Sequence, residues 1–301
     1  RKYASRGGAL GKSGRATKNI TPLFKEHMDT DHLKRFVQNL NSYDRGVVTL
    51  KLHGTSGRAA YLPISKEVKW YHRLFNITPK TSYKHIVGSR RVVKSIEGID
   101  SSNKGSFFDF DIWTSSAEKF KDKLNPGETV YYEIVGSIPD GSMIQPSHPT
   151  SKLKRFITSQ EYKQYQDVYG DTIDMLYGCE SNEYRIFVYR ITLSNEQGTC
   201  IDYSWEQVKR RCIEIGVDYV PELTSFEGLE SSAIEELVDT YTSVVPCSVF
   251  PGTLREGVVV RVDRGGNHPL MFKDKSYSHK VLEGILKDAP EYVDIEEQQS
   301  I

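Results

Sequence analysis

The sequence predicts an α+β fold built on antiparallel sheets. Apolar, β-branched segments outnumber helical ones, and the two kinds do not alternate regularly along the chain. A doubly wound parallel sheet needs a helix after nearly every strand, so this order favours antiparallel pairing. With 301 residues, 38% of them hydrophobic, the chain can bury a large core in one domain or in two lobes.

The strands are predicted from short runs of β-branched and aromatic residues. The first run, residues 46–52, places Lys51 at the end of a strand. Further strands are predicted at 92–93, 107–113, 129–135, 185–193, 257–262 and 270–272.

Three helices are also predicted, one before the first of these strands and two between later ones. Residues 29–41 repeat apolar side chains at helical spacing, which indicates one buried face. Capping boxes begin at Ser204 and Ser232, where a side-chain oxygen can satisfy the first amides of a helix. Gly216 stands where the helix that begins at Ser204 is expected to end.

Charge is balanced over the whole chain but unevenly distributed. Lys plus Arg and Asp plus Glu each number 40, so binding of nucleic acid must rely on locally concentrated basic side chains. Residues 1–20 contain no acidic side chain and are predicted to form a basic, flexible tail. We predict one large domain over residues 21–280, followed by a short acidic extension at 281–301.

Several functional classes are disfavoured by the composition. The four cysteines are scattered, which argues against a cysteine zinc site or a disulfide framework and suits the cytoplasm or another reducing compartment. No apolar run is long enough to span a membrane. The histidines lack the HExxH spacing of zinc hydrolases. The stretch 7–13 lacks the first glycine of a phosphate-binding P-loop.

Three segments could carry chemistry. Lys51 leads from a strand directly into a turn of small residues. Glu256 precedes Gly257 and an unbroken apolar strand. Lys273 and Lys275 share one face at the end of another strand, because side chains alternate along a strand. Taken singly, each segment would be interpreted as an ordinary solvated or packing element.

Their order along the chain resembles the motif series of the covalent nucleotidyltransferases, which comprise DNA ligases, RNA ligases and mRNA capping enzymes. In that superfamily, K-x-(D/H)-G is followed by E-x-x-G, then E-G-x-V-x-(K/R), then K-x-K. The matching segments here begin at Lys51, Glu133, Glu256 and Lys273, and they span about three quarters of the chain. The resemblance implies a nucleotidyltransferase fold, of the ATP-grasp-like ligase adenylation type, whose antiparallel sheets enclose a nucleotide cleft within residues 21–280.

His53 favours resemblance to the RNA ligases over the other two groups, because DNA ligases and capping enzymes usually carry Asp at that position. The K-x-H-G-T sequence resembles the motif of the RNA ligases that seal nicks in duplex RNA, which include phage and RNA-editing ligases. Residues 272–280 also resemble the corresponding segment of that branch. Only 26 residues follow Lys275. We expect this to be too few for the oligonucleotide-binding barrel of DNA ligases and capping enzymes, unless a C-terminal domain has been removed.

The resemblance implies an ATP-dependent RNA ligase. Lys51 would attack the α-phosphorus of ATP to form lysyl-AMP, AMP would pass to an RNA 5′-phosphate, and a 3′-hydroxyl would displace it. Lys273 and Lys275 are expected to lower the pKa of Lys51 and to stabilise the α-phosphate. The expected cofactors are ATP and Mg²⁺ or Mn²⁺, with Glu256 as the metal ligand.

The same motifs imply which residues bind the nucleotide. Glu133 matches a ribose contact, Tyr189 an aromatic ring stacked on adenine, and Arg90 a ribose or phosphate contact for which Arg91 is the alternative. Two positions depart from the family pattern, since Arg190 replaces an acid and Ser56 replaces an Asn. The remaining predicted cofactor-binding residues are His53, Gly54, Arg58 and Glu256.

Several alternatives stay open at this point. A DNA ligase without its barrel or a capping guanylyltransferase would share these motifs, and a test of ATP against GTP separates the capping enzyme. A non-catalytic RNA-binding relative is disfavoured, because the nucleophile and the phosphate-binding lysines are present. The Tyr- and Gln-rich segment 160–169 could hold RNA, although packing is the more usual role of such a face. A monomer is expected, with RNA carrying 3′-OH and 5′-phosphate ends as its partner and no membrane.

Overall fold

Two sheets form the framework of the protein. The computed structural model describes residues 22–64, 82–98, 110–243, 249–250 and 252–284. Within these ranges the pairing is antiparallel except for one short parallel pair of strands and one isolated parallel bridge. The predicted antiparallel sheets are therefore confirmed, in a fold that also contains helices.

The first sheet has five strands and carries Lys51. Its central strand pairs on both sides, and the register places Gly257 opposite Lys51 on one neighbour and opposite Lys275 on the other. The two lysines therefore flank one glycine. In spatial order the strands are β1 (Asp31–His32), β13 (Leu270–Lys275), β12 (Gly257–Val262), β2 (Arg45–Lys51) and β11 (Glu222–Glu227).

The second sheet has six strands and contains an irregularity at Tyr189. Tyr131 pairs with Arg190 and Tyr132 pairs with Val188, so Tyr189 is an extra residue that bulges from its strand. A bulge changes the direction in which a side chain points. In spatial order the strands are β10 (Cys200–Asp202), β9 (Tyr184–Ser194), β6 (Glu128–Gly136), β3 (Thr55–Ile64), β4 (Ser82–Ser89) and β5 (Val93–Ile96), while β7 (His148–Pro149) and β8 (Thr172–Ile173) form a separate pair.

The helices surround these sheets. The helix that follows Ser204 begins with the predicted capping box and ends at Gly216 in a left-handed conformation, as expected. The α-helices are α1 (Leu33–Phe36), α2 (Ile112–Ala117), α3 (Ser159–Tyr169), α4 (Trp205–Ile215), α5 (Ser231–Thr242) and α6 (Tyr277–Leu282), and the 3-10 turns are Val37–Asn39, Glu118–Phe120 and Thr150–Arg155.

One face of the first sheet packs against helices α1 and α5. Along β12, Val258, Val260 and Val262 are buried in a cluster with α1 and α5. Because side chains alternate on a strand, Val259 and Arg261 point to the opposite face. The opposite face of β12 therefore carries one apolar and one basic side chain outside this cluster.

Some predicted elements differ from the structure. The predicted helix at 29–41 is reduced to a short strand, α1 and a 3-10 turn. Of the predicted strand at 107–113, residues 107–109 lie outside the described ranges, and Ile112 begins α2 because the Asp111 side chain accepts a hydrogen bond from the Thr114 amide. Helix α5 forms as predicted but begins at Ser231 without a side-chain cap.

The ends of the chain fall mostly outside the described residues. The predicted basic tail at 1–20 and most of the acidic extension lie there. The predicted boundary at residue 280 falls inside α6, whose Val281 and Leu282 are buried, so the folded domain extends further than expected. Among the helices of the described ranges, none combines the length and the apolar character that crossing a membrane requires.

Candidate active site

A pocket lies between the second sheet and the face of the first sheet that points away from α1 and α5. Lys51 and Lys273 line it from the first sheet, and Glu133 and Tyr189 line it from the second. Arg90 and residues of the segment before α1 also line the pocket. Further lining residues include His27, Met28, Ser56, Arg190, Trp205 and Arg261. The pocket therefore brings together five of the predicted site residues from five separate segments.

Lys51 points from the end of β2 toward a buried carboxylate. Its Nζ lies 2.7 Å from Glu256 Oε1, and Lys275 Nζ lies 3.1 Å from the same oxygen. Gly257 allows the backbones of β12 and β13 to approach closely, because a Cβ there would lie 2.1 Å from the Asp274 carbonyl oxygen. The Glu256 side chain is fully buried, whereas that of Lys51 is 12% exposed. Lys51 therefore reaches the pocket while Glu256 lies behind it.

Lys51 lies beside a buried carboxylate that it shares with a second lysine. Burial alone would raise the pKa of Glu256, but the charges of Lys51 and Lys275 outweigh it and lower that pKa to about 2. An ionised carboxylate in contact with Lys51 stabilises the protonated amine. A neighbouring positive charge, such as that of Lys275, acts on the amine in the opposite direction.

Glu133 and Ser56 face each other across β6 and β3. The register pairs these two residues, and Ser56 Oγ donates to Glu133 Oε2 at 3.0 Å. The serine therefore orients a carboxylate that lines the pocket. Ser56 is the position where the family pattern has Asn, and it keeps a hydrogen-bonding group there.

Tyr189 and Arg90 are held by the segment before α1. The Tyr189 hydroxyl lies 2.5 Å from His27 Nδ1, and burial raises the pKa of this tyrosine well above its usual value, so it is protonated. Arg90 Nη2 lies 2.6 Å from Asp29 Oδ1. Both side chains are thus oriented by contacts from residues 27–29, a segment that carried no predicted site residue.

Behind Lys51 lies a buried cluster of two imidazoles and two carboxylates. His53 Nε2 and His279 Nε2 lie 3.4 and 3.2 Å from Glu283 Oε1, and His53 Nδ1 lies 3.8 Å from Glu256 Oε2. The side chains of all four residues are at most 2% exposed. Lys275 Nζ contacts Glu283 Oε2 at 3.3 Å. Lys275 therefore balances the charge of both carboxylates.

Comparison with known proteins identifies the family. The sequence model for RNA ligase matches residues 44–275, which include every segment of the pocket except the one before α1. The chain belongs to the RNA ligase family. No curated protein matches it by sequence.

Solved structures of Naegleria gruberi RNA ligase share the fold of this RNA ligase family member. An apo variant aligns with a TM-score of 0.51 and 15% identity, covering 87% of this chain and 58% of its own. A variant with ATP and Mn aligns with a TM-score of 0.51 and 14% identity, covering 87% and 57%. A variant with AMP and Mn gives 0.50, 14%, 87% and 58%. The chain thus spans less than three fifths of the length of these proteins.

Three predicted cofactor-binding residues are placed elsewhere than expected. His53 points into the buried cluster rather than into the pocket. Gly54 packs against β6, where a Cβ would lie 2.1 Å from the Ile134 carbonyl oxygen. Arg58 is 1% exposed and donates to the carbonyl oxygens of Phe24, Lys25 and Ser89. These residues position the pocket walls and do not line it.

Arg58→Ala is expected to destabilise the protein by about 3 kcal/mol or more, because three buried carbonyl oxygens lose a charged donor. Burial lowers the pKa of Arg58 to about 10, so the group remains charged at neutral pH. Urea unfolding measures the effect. Arg185→Ala is the control, because its partly exposed pair with Asp218 is worth under about 1 kcal/mol. Equal effects of the two changes would contradict the buried role.

Functional candidates that the sequence reasoning missed include His27, His279 and Glu283. The spacing of His279 and Glu283 places both on one face of a helix, which was a visible pattern. His27 lies in a segment without regular structure, and no pattern in the sequence pointed to it.

Acid is expected to weaken the fold through the two buried carboxylates. Burial would raise the pKa of Glu283, but its contact with His279 and the charge of Lys275 lower that pKa to about 2. A folded-state pKa below the usual 4.5 stabilises the folded state above that pH, and the contribution is lost as pH falls toward about 2. Urea midpoints measured from neutral pH downward should therefore fall in this window.

Glu283→Gln should flatten this pH dependence, because glutamine does not titrate. The exposed carboxylate of Glu227 provides the control, so Glu227→Gln should leave the pH profile unchanged. A profile that is the same in wild type and Glu283→Gln would show that the buried cluster does not control acid stability.

Proposed function

We propose that the protein is an ATP-dependent RNA ligase that joins a 3′-hydroxyl to a 5′-phosphate through a lysyl-AMP on Lys51. The observation that carries the proposal is the position of the Lys51 amine, at the edge of a pocket that Lys273, Glu133 and Tyr189 also line. The match of residues 44–275 to the RNA ligase family supports it.

The pocket offers complementary groups for adenosine. Tyr189 bulges from β9 and presents an aromatic ring on which adenine can stack. The Glu133 carboxylate can accept hydrogen bonds from ribose hydroxyls, and Arg90 can contact ribose or a phosphate. Naegleria RNA ligase variants with ATP and with AMP support the choice of nucleotide.

The amine of Lys51 must lose a proton before it can attack phosphorus. In the structure its partner is Glu256 Oε1, and Lys275 contacts the same oxygen. Lys51 is 12% exposed, so its proton can pass to solvent in the pocket, and Lys275 then still balances the buried carboxylate. Lys51 can then form a bond to the α-phosphorus of ATP while the bond to pyrophosphate breaks. Lys273 faces the pocket and can stabilise the negative charge on the phosphate oxygens.

Two carboxylates fit a divalent cation. Mg²⁺ prefers oxygen ligands, and it is usually held by one or two carboxylates together with substrate phosphates and water. Glu256 is ionised and turns Oε1 toward Lys51, and Glu133 lines the pocket. Loss of the Lys51 proton would free Oε1 from one of its two lysine contacts, so that it could also hold Mg²⁺ or Mn²⁺. The ion would neutralise charge on the phosphates when bound.

The adenylate on Lys51 would next pass to the 5′-phosphate of RNA. The RNA 3′-hydroxyl then attacks the adenylated 5′-phosphate, a phosphodiester forms, and AMP leaves. We further propose that the protein acts as a monomer on RNA ends, in a reducing compartment that suits its cysteines.

The test is ligation of a nicked RNA duplex with ATP and Mg²⁺, followed by electrophoresis of the labelled strand. We expect a sealed strand with ATP and none with GTP. A sealed product with GTP, or sealing of nicked DNA in preference to RNA, would overturn the proposal in favour of another nucleotidyltransferase. A protein that forms the adenylate but joins no polynucleotide would overturn the ligase assignment.

A further inference from the structure

The buried cluster behind Lys51 contains the donor atoms of a metal site. His53, Glu256 and His279 each offer one ligand atom, and these atoms lie within 4.8 Å of one another. They come from the turn after β2, the residue before β12, and α6, which are distant in sequence. We propose that these three side chains bind one Zn²⁺ ion.

The distances between these side chains are a few tenths of an ångström longer than those between the ligands of tetrahedral zinc. Two ligands of such an ion, each about 2.0–2.2 Å from it, are about 3.3–3.5 Å apart. Glu256 lies 3.8 Å from His53 Nδ1 through Oε2 and 3.7 Å from His279 Nε2 through Oε1. Small side-chain rotations bring such atoms to ligand distance. Two imidazoles and one carboxylate form a donor set that catalytic zinc sites use.

Polar atoms left without hydrogen bonds support an ion at this place. His279 Nδ1 and Glu256 Oε2 are buried and make no hydrogen bond within the described part of the chain. Such groups are costly to bury unless an ion or a water satisfies them. Their concentration in one cluster indicates a common bound species.

The two oxygens of Glu283 contact a lysine and an imidazole, respectively. Glu283 uses Oε2 for Lys275, and its Oε1 lies 3.4 Å from His53 Nε2. An imidazole that binds metal through one nitrogen usually donates its other N–H to a carboxylate. Glu283 therefore fits the role of orienting His53, whose Nδ1 faces Glu256. Nitrogen donors favour Zn²⁺ over Mg²⁺, which prefers oxygen.

The site shares Glu256 with the proposed Mg²⁺ site, but it needs no nucleotide, so Zn²⁺ binding can be tested in the absence of ATP. The full chain, without an added histidine tag, is stripped of metal and titrated with Zn²⁺ and with Co²⁺, whose visible spectrum reports tetrahedral ligation. We expect one equivalent of either ion. Glu283→Gln should weaken binding by about 10- to 100-fold, and His279→Gln by about 100-fold or more.

His85→Gln is the matched control, because His85 lies on β4 outside the cluster. It should bind like the wild type. Thermal melting with and without Zn²⁺ gives a second reading that requires only the folded wild type, whose midpoint should rise. No bound ion, or equal binding by His279→Gln and His85→Gln, would overturn the proposal. Transfer of labelled AMP with Mg²⁺ reports the proposed function separately, so either can fail without the other.

Discussion

Lys51→Arg is expected to abolish transfer of AMP from ATP to the protein while leaving the fold intact. Arginine keeps a positive charge beside Glu256, so the buried carboxylate retains its partner. The guanidinium stays protonated at neutral pH and cannot attack phosphorus. We expect labelling to fall by at least about a thousandfold, as for loss of a nucleophile. The measurement is acid-labile label retained on the denatured protein after incubation with α-labelled ATP and Mg²⁺.

Lys209→Arg is the matched control for that experiment. Lys209 also forms ion pairs, with Glu206 and Glu222 at 2.7 and 3.0 Å, but it lies on α4 and not at the pocket. This variant should be labelled like the wild type. Equal labelling of the two folded variants would mean that a different side chain is the nucleophile.

Lys273→Ala and Lys275→Ala are expected to impair the protein for different reasons. Lys273 lines the pocket, so its loss should slow adenylation about 100- to 1,000-fold with little change in stability. Lys275 is 4% exposed and contacts both Glu256 and Glu283. Removing its charge leaves two buried carboxylates with one partner fewer, which costs about 3–5 kcal/mol.

The two roles are separated by measuring adenylation rate and urea unfolding on the same samples. Lys273→Ala should shift the rate, and Lys275→Ala should shift the unfolding free energy. Lys275→Arg provides the check on charge and should recover part of the lost stability. Loss of rate in both alanine variants with unchanged unfolding would show that both lysines act only on the nucleotide.

Alternation and capping explain why much of the fold was predictable. The run 257–262 forms β12 with the predicted bounds, and Lys51 ends its strand as expected. Local capping at Ser204 also matched the structure. The order of motifs also selected Lys51, Glu133, Tyr189 and Lys273, which line one pocket in the structure. These features depend on near neighbours in sequence or on spacing that the family shares.

Contacts between distant segments were not predictable from patterns. Arg58 was expected at the nucleotide, but its guanidinium is taken up by carbonyl oxygens of residues 24, 25 and 89. His53 faces His279, with ring centres 4.7 Å apart, although 225 positions lie between them. Helix α3 covers the segment that was interpreted as an aromatic helical face, but its capping box of Thr158 and Glu161 was not identified, nor was the hydrogen bond between its buried Tyr165 and Ser278.

The most direct test of the account is to find the site of AMP attachment in the wild-type protein. After incubation with ATP and Mg²⁺, digestion and mass spectrometry should locate one AMP on the peptide that contains Lys51, bound through its Nζ. AMP on another residue, or efficient RNA sealing without any covalent adenylate on the protein, would contradict the account.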